Sequence, residues 1–176
     1  MTHGHRTLVV VRHAKAEREA THDHERRLTQ RGRGDAAAAA ATVSAALSVA
    51  QRGKAVALVS SAVRAVETWQ LIASRLPGGA QVGERVEDAL YQADVGDVTD
   101  LLTSLDQDLE VALVVGHNPT LEDTVRALAA GGDGDALARL DGGLSTAAVA
   151  VLSYQGLWSD LAAGSCRLEA VEVGRG

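Results

Sequence analysis

Three short, mainly apolar segments lie in the first two thirds of the chain, and each is followed by a longer segment with helical spacing. They are residues 7–13, 55–61 and 110–117, and they are rich in Val, Leu and Ala. A strand is apolar along its whole length when helices cover both faces of its sheet. Alternation of such strands with helices is typical of a mostly parallel sheet. The pattern therefore predicts an α/β fold, a three-layer α/β/α sandwich with a mostly parallel central sheet.

The longer segments between these runs have the spacing and end signals of helices. A helix is predicted over residues 28–53, where Thr29 is a candidate N-cap, alanine dominates and Gly53 is a candidate stop. Residues 131–144 are the most loop-like stretch, and residues 17–26 are the most polar. Further helices are predicted over residues 62–79, 93–108 and 118–132, and further strands over residues 82–86, 145–154 and 165–173.

Length and composition limit the classes of protein to consider. The 176 residues suit a single domain over 1–176, in which we expect residues 1–6 to be a loose, solvated tail. The net charge of −6 argues against sequence-independent binding of nucleic acid, which requires an extended basic surface. No stretch approaches the roughly 20 apolar residues that span a membrane, and no signal peptide is recognisable, so we expect a cytoplasmic protein. The single cysteine, Cys166, excludes an internal disulfide and a multi-cysteine metal site.

Charged residues follow the three apolar runs, at the points where the predicted strands end. The first run ends at Arg12 and His13, the second is followed one helical turn later by Arg64, and the third ends at His117. Open parallel sheets bind their ligands outside the carboxyl ends of the strands. If the three strands are neighbours, two arginines and two histidines converge at one edge of the sheet.

These residue types fit the chemistry of phosphoryl transfer. Two guanidinium groups match the oxygens of a phosphate monoester, which carries roughly −1.5 to −2 charges at pH 7. A neutral imidazole can attack phosphorus, and a second imidazole, if protonated, can donate to the phosphoryl oxygens. The helix after Gly116 adds N–H groups and a positive dipole end. Each residue alone is more simply a surface or turn residue, but their joint placement at three strand ends favours a phosphate site.

Four segments, in the same order, resemble motifs of the histidine phosphatase superfamily, which is also described as phosphoglycerate mutase-like. They are VVVRHAKAE, RRLTQRGRGDA, VSSAVRAVETW and VVGHNPTLE, and they span residues 9–122. The short chain and the residues of the first and last segments are most similar to the SixA-type subgroup, which includes phosphohistidine phosphatases. Ala14 and Ala62 depart from the usual glycine and proline, and neither change removes a catalytic group. The resemblance implies a phosphoglycerate mutase-like fold.

The resemblance also implies a role for each matching residue. His13 would be the nucleophile that becomes phosphorylated. Arg12 and Arg64 would bind the phosphoryl group, and His117 would complete the pocket and stabilise the charge in transfer. Asn118, next to His117, is a further predicted contact of the substrate. The resemblance implies no metal ion and no organic cofactor.

The general acid that protonates the leaving group is a separate prediction. Asp88 lies three residues before Tyr91, the spacing of the corresponding glutamate in the mutase branch, and is the predicted acid. Glu87 is the alternative. Either carboxylate could instead be a solvated loop residue, and the imidazole of phosphohistidine is a good leaving group that needs less help from an acid.

The polar segment near residue 20 allows two further interpretations. His22 and His24 form an H-x-H pair, but the polar setting without a nearby cysteine disfavours a metal site. Lys15, Arg26 and Arg27 could instead steer an anionic substrate, because the resemblance places this loop near the rim of the pocket. Lys15 is also a predicted contact of the substrate.

The sequence therefore predicts a metal-independent phosphatase that acts through a phosphohistidine intermediate. Its expected substrates are a phosphohistidine-containing protein or a small phosphate ester. The alternative is a module of the same fold that binds phosphate or a phosphoprotein without turnover. A flavodoxin-like regulatory domain with incidental histidines is disfavoured by the Arg-His and Gly-His pairs at strand ends.

Overall fold

Seven strands form one sheet in the computed structural model of the protein, which describes residues 4–47, 54–77 and 82–176. Their order across the sheet is β3-β2-β4-β1-β6-β7-β5, and among these strands β6 alone runs antiparallel to the others. The mostly parallel central sheet that the apolar runs predict is confirmed. In chain order the strands are β1 (His5–Arg12), β2 (Ala55–Ser60), β3 (Val82–Glu87), β4 (Val111–Gly116), β5 (Ala129–Gly132), β6 (Ala148–Gln155) and β7 (Cys166–Val173).

The strand β1 lies at the centre of the sheet, between β4 and β6. In the parallel ladder with β4, Arg12 pairs with Gly116. The other side of β4 pairs with β2, where Val59 lies opposite Val115. The carboxyl ends of β1, β4 and β2 therefore lie side by side, so the three apolar runs are neighbours.

Helices cover both faces of this sheet. Successive residues of β1 alternate between two cores: Val9 packs with Val43 and Trp69 on one face, and Val10 packs with Leu102 on the other. This arrangement confirms the three-layer α/β/α sandwich. No helix in the described residues is both long enough and apolar enough to cross a membrane. The first face carries α1 (Gln30–Ala46) and α2 (Val63–Ala73), and the second carries α3 (Val95–Thr103), α4 (Thr120–Leu128) and α5 (Gly134–Asp141).

The predicted tail over residues 1–6 is wrong at its carboxyl end, because β1 begins at His5. Arg6 is buried, and its guanidinium donates hydrogen bonds to the carbonyl of Gln107, at 2.6 Å, and to that of Gly156. The same group lies over the ring of Trp158. These partners are more than 100 residues away, so the local pattern around Arg6 carries no sign of them. Residues 1–3 lie outside the described residues.

The predicted loop over residues 131–144 is also wrong, because it contains the end of β5 and all of α5. The Asp133 side chain caps α5 by accepting hydrogen bonds from the backbone N–H groups of Asp135 and Ala136. Ala136 and Leu140, four residues apart, bury one face of this short helix. The glycines and aspartates around it hide the helical signal. The predicted helix over 118–132 ends at Leu128, because the chain then pairs with β7 as β5.

The start of α1 packs directly on the chain that follows β1. As predicted, the Thr29 hydroxyl caps the helix by accepting a hydrogen bond from the Gly32 N–H at 2.9 Å. The Thr29 N–H in turn donates to the Lys15 carbonyl at 2.9 Å. A Cβ at Gly32 would overlap that carbonyl, so only glycine allows this approach. The predicted stop at Gly53 lies outside the described residues, and α1 ends at Ala46.

Replacing Gly32 tests this packing. Gly32→Ala should destabilise the fold by about 1–3 kcal/mol, the usual cost of overpacking, because the Lys15 backbone must move. Gly34→Ala is the matched control in the same helix, since the nearest atom to its Cβ would be the Gly176 Cα at 3.7 Å, an ordinary contact. The control should be neutral or more stable by about 0.5–1 kcal/mol. Urea unfolding measures both, and equal stability of the two variants would contradict the packing described.

Candidate active site

Two histidines leave neighbouring strands at the carboxyl edge of the sheet. His13 follows β1, and its backbone N–H donates to the carbonyl of Gly116, the last residue of β4, at 2.9 Å. His117 follows Gly116 directly, and the centroids of the two imidazole rings are 5.1 Å apart with the planes tilted by 57°. The register of β1 against β4 therefore places the rings side by side.

The His13 ring is oriented by a hydrogen bond to the next residue. Its Nδ1 lies 2.8 Å from the Ala14 carbonyl oxygen, which can only accept, so Nδ1 carries the proton. The lone pair is then on Nε2. Ala14 is restrained in turn, because its backbone N–H donates to the Thr68 hydroxyl at 3.0 Å and that hydroxyl donates to the Arg64 carbonyl at 2.6 Å. Thr68 thus joins the first turn of α2 to the loop that carries His13.

Arg64 reaches the free nitrogen of His13 from α2. Its side chain is only 8% exposed, and its Nε–H donates to His13 Nε2 at 3.3 Å. Both terminal nitrogens face Asp23: Nη1 donates to the backbone carbonyl at 2.7 Å and Nη2 donates to the carboxylate Oδ2 at 3.0 Å. A guanidinium group therefore lies against the predicted nucleophilic atom.

Arg12 is held on the opposite side by the chain after α5. Its Nη1 donates to the Leu144 carbonyl at 2.6 Å, and the Leu144 N–H donates to the Glu122 carboxylate at 3.0 Å. Asn118 supports the same arrangement, because its amide nitrogen donates to the Leu144 carbonyl and to Glu122. The Arg12 Nε is buried and has no hydrogen-bond partner in the described residues. A buried donor of this kind is costly unless a ligand satisfies it.

His117 has one nitrogen engaged and one unpaired. Its Nε2 lies 2.7 Å from the Ser60 hydroxyl at the end of β2. Its Nδ1 is buried and, among the residues described, finds no partner. The Tyr91 ring meets the His117 imidazole edge-on, with centroids 5.9 Å apart. If the Ser60 hydroxyl donates to Nε2, then Nδ1 carries a proton that no group in the described part of the chain accepts.

Burial and the arginines keep both imidazoles neutral. Burial lowers the pKa of His13 to about 4, aided by the positive charges of Arg64 and Arg12 and opposed by the hydrogen bond to Ala14. Burial also lowers the pKa of His117 to about 3, aided by His13 and Arg64. At neutral pH the His13 Nε2 is therefore an unprotonated nitrogen. An anion bound beside the rings would raise both pKa values, because it favours the charged form.

The predicted acids lie at the same edge of the sheet but outside this hydrogen-bond network. β3 pairs with β2 so that Glu87 lies opposite Ser60, and Asp88 follows at once as an exposed residue. Glu87 forms an ion pair with Arg85 at 2.7 Å. Neither carboxylate is hydrogen-bonded to His13 or His117 in the part of the chain described here. The role of Asp88 as general acid stays a prediction.

The predicted rim residues have different partners. Lys15 is exposed and lines a surface depression with residues 16–19 and Thr29. Arg26 is paired with Asp23 at 2.8 Å, and Arg27 is paired with Glu67 at 2.6 Å. The Asn118 amide nitrogen donates to Glu122 and to the Leu144 carbonyl, so its position does not indicate a contact with the substrate. Roles in substrate binding or steering therefore remain predictions for these residues.

Several residues of the site were missed by the sequence reasoning. Ser60 and Thr68 lie inside the motif around Arg64, and only the folded chain shows that they orient His117 and the Ala14 peptide. Asp23 lies between His22 and His24, and nothing in that pattern indicates its contact with Arg64. Apart from its place in the fourth motif, nothing in the sequence around Glu122 indicates that it supports the site. Among the described residues, no cluster of three or more histidine, cysteine or acidic side chains could hold a metal ion.

Comparisons with known proteins agree with this geometry. No family model matches the sequence. An uncharacterized protein of Mycobacterium tuberculosis strain H37Rv is 32% identical over 168 residues, which are 94% of this chain and 100% of that protein. The structure of a provisionally named phosphohistidine phosphatase SixA from Nakamurella multipartitia matches with a TM-score of 0.79 and 30% identity, over 98% of each chain. A phosphoglycerate mutase from Plasmodium falciparum matches with a TM-score of 0.56 and 16% identity, over 97% of this chain and 89% of that one.

The likeness to the mutase shows the phosphoglycerate mutase-like fold. The identity to the Nakamurella multipartitia protein over nearly the whole of both chains places this chain among the phosphatases of the histidine phosphatase superfamily. This chain belongs to the SixA-type subgroup, because it is 30% identical to a protein of that name over nearly the whole of both chains. The resemblance that the four motifs indicate is confirmed.

The lowered pKa values predict the charge of the site in solution. Both imidazoles should still be neutral at about pH 5.5, roughly one unit below the ordinary histidine pKa of 6.5. Histidine resonances in NMR spectra, assigned with His13→Asn and His117→Asn, measure this directly. Inorganic phosphate should raise both pKa values. A pKa at or above the ordinary value for His13 in the absence of phosphate would contradict the electrostatics described.

Proposed function

We propose that the protein is a metal-independent phosphatase that forms a phosphohistidine on His13. The observation that supports this most strongly is the setting of His13 Nε2. It is an unprotonated nitrogen that faces the Nε–H of Arg64 at 3.3 Å, and two further buried nitrogens, Arg12 Nε and His117 Nδ1, lack partners in the described residues. A phosphoryl group placed against Nε2 would give these nitrogens negatively charged acceptors.

In the first step His13 Nε2 attacks phosphorus in line with the leaving group. The new bond is N–P, and the bond between phosphorus and the leaving oxygen or nitrogen breaks. The Arg64 Nε–H moves its hydrogen bond from Nε2 to a phosphoryl oxygen, which frees the lone pair for attack. Arg12 and His117 stabilise the charge on the other phosphoryl oxygens. The proton on Nδ1 stays in its hydrogen bond to Ala14, so the phosphorylated ring is held in the same orientation.

In the second step water attacks the phosphohistidine in line with the N–P bond. That bond breaks, inorganic phosphate forms, and the electron pair returns to Nε2. The same donors stabilise the second transition state, because the phosphoryl group passes through the same charge distribution. In this proposal Asp88 gives its proton to the leaving group in the first step, and the resulting carboxylate accepts a proton from the attacking water in the second.

We infer that the substrate is a phosphohistidine-containing protein or a small phosphate ester with a good leaving group. The SixA name of the Nakamurella multipartitia protein supports the first class. The structure adds a reason to favour good leaving groups, since no carboxyl group of the described residues is hydrogen-bonded to His13 or His117. Asp23 is the carboxylate nearest to Arg64, and the arginines and Tyr91 hold its pKa well below the usual range, so it is ionised and cannot donate a proton.

Removing the nucleophile tests this proposal. His13→Ala should lower kcat with phosphohistidine peptide or an aryl phosphate by at least about 10³-fold, as expected when a covalent nucleophile is lost. His5→Ala is the matched control, because His5 is exposed at the opposite end of the same strand. The control should retain wild-type kcat, and EDTA should not change the rate of either enzyme. A His13→Ala variant with near wild-type activity would overturn the assignment. Labelled phosphate bound to the wild type without release would instead indicate a binding module.

The role of Asp88 as general acid can be tested by comparing substrates whose leaving groups differ. Asp88→Asn should lower kcat for an alkyl phosphate by about 10²–10⁴-fold, the usual contribution of a general acid. The loss should be much smaller for phosphohistidine, whose ring can take a proton from solution on its other nitrogen and leave as neutral imidazole. Glu87→Gln is the comparison, and little change is expected. An equal loss for both substrates, or a larger loss in Glu87→Gln, would contradict the role of Asp88.

A further inference from the structure

Asp23 accepts two hydrogen bonds from the Arg64 side chain, more than any other described residue. Its backbone carbonyl accepts from Arg64 Nη1 at 2.7 Å, and its carboxylate Oδ2 accepts from Nη2 at 3.0 Å. Asp23 lies in a 3₁₀ turn, Asp23–Glu25, which is 41 residues from Arg64 along the chain. One residue of a distant loop thus engages both terminal nitrogens of the arginine that faces the nucleophile.

These contacts decide which donors of Arg64 remain for a ligand. A guanidinium has five N–H donors in a fixed fork. Asp23 takes one donor from each terminal nitrogen, and the Nε–H points at His13 Nε2. With the terminal nitrogens held, the group cannot turn about its long axis, and its Nε edge stays directed at the position of the phosphoryl group. We propose that Asp23 is a positioning residue that aims the Nε edge of Arg64 at the group in transfer.

The carboxylate of Asp23 is itself fixed by other residues. Tyr91 donates its hydroxyl proton to Oδ2 at 2.9 Å, and Arg26 donates to Oδ1 at 2.8 Å. The next residue, His24, places its Nε2 3.0 Å from the Ser61 hydroxyl and its ring edge-on to Tyr91, with centroids 4.8 Å apart. The turn is therefore tied to the residue after β2, to α2 and to the segment after β3. Such support is what a positioning role requires, because an unsupported carboxylate could not hold an arginine in one orientation.

Asp23 also has an electrostatic effect that opposes ligand binding. Its ionised carboxylate lies 3.0 Å from a terminal nitrogen of Arg64, so it offsets part of the positive charge that attracts a phosphate dianion. The side chain is 52% exposed, so water and salt weaken this effect without removing it. Asp23 therefore makes the binding of inorganic phosphate weaker while it makes Arg64 better placed for the transition state. A residue that served only to stabilise the fold would not weaken phosphate binding and favour the transition state at the same time.

This proposal rests on the proposed phosphatase function. The isosteric variant Asp23→Asn tests the role of Asp23 separately from that function. It removes the negative charge and keeps the backbone carbonyl that binds Nη1. Inorganic phosphate should bind this variant about threefold to tenfold more tightly, as expected for loss of one nearby, partly screened charge. The value of kcat should fall about tenfold to a hundredfold, because a displaced donor no longer matches the transition state. Glu25→Gln is the control, since Glu25 is exposed in the same turn and makes no side-chain hydrogen bond with any described residue.

Three measurements decide the proposal. Calorimetry gives the Kd for inorganic phosphate, turnover of phosphohistidine peptide gives kcat, and NMR follows the Arg64 Nε–H resonance, assigned by its loss in Arg64→Lys. We expect tighter phosphate binding, lower kcat and faster solvent exchange of that N–H in Asp23→Asn, with all three unchanged in Glu25→Gln. Weaker or unchanged phosphate binding in Asp23→Asn, an unchanged kcat, an unchanged Arg64 resonance, or the same changes in the control would each overturn it. A wild type that binds phosphate without turnover would refute the phosphatase function, while calorimetry and NMR would still decide the role of Asp23.

Discussion

The hydrogen bond from His13 Nδ1–H to the Ala14 carbonyl is the interaction on which the site depends, because it leaves the lone pair of the imidazole on Nε2. The bond fixes the ring only if Ala14 does not move. The Thr68 hydroxyl restrains Ala14 by accepting from its backbone N–H, and the same hydroxyl donates to the carbonyl of Arg64. His13 and Arg64 are thus joined through one side chain of α2, although they are separated by some 50 residues along the chain.

The charges of the site are balanced rather than simply positive. Burial, aided by the charges of Arg64 and Arg12, lowers the pKa of His13 and keeps the ring neutral, but each arginine also needs a partner of its own. Arg12 binds the Leu144 carbonyl in a loop that Glu122 and Asn118 support. Arg64 binds Asp23, whose carboxylate is satisfied by Tyr91 and Arg26. One carboxylate therefore supports Arg12 through the Leu144 loop, and the other holds Arg64 directly.

The parts of the structure that sequence predicts are those in which local pattern and tertiary role agree. Buried parallel strands must be apolar throughout, so β1, β2 and β4 are evident, and the polar residues just past them point to the site. The helix α5 is not evident, because its cap at Asp133 and its two buried residues lie among glycines and aspartates. Asp23 and Glu122 could not be predicted as supports, since each acts through hydrogen bonds to residues 20 or more positions away. Asp88 is the opposite case, in which a sequence pattern predicts a role that the fold does not make evident. Its spacing from Tyr91 indicates a general acid, but the side chain is exposed and lies outside the hydrogen-bond network of the site.

In the proposed mechanism His13 Nε2 carries the phosphoryl group covalently between the two steps. Rapid mixing of the enzyme with phosphohistidine peptide, quenching in alkali and mass spectrometry of the digested protein detect this intermediate, because phosphohistidine survives in base. We expect one phosphoryl group on His13, attached through Nε2, that forms and decays as fast as the substrate turns over. Turnover without a phosphoryl group on His13, or with the group on His117 instead, would contradict the covalent mechanism.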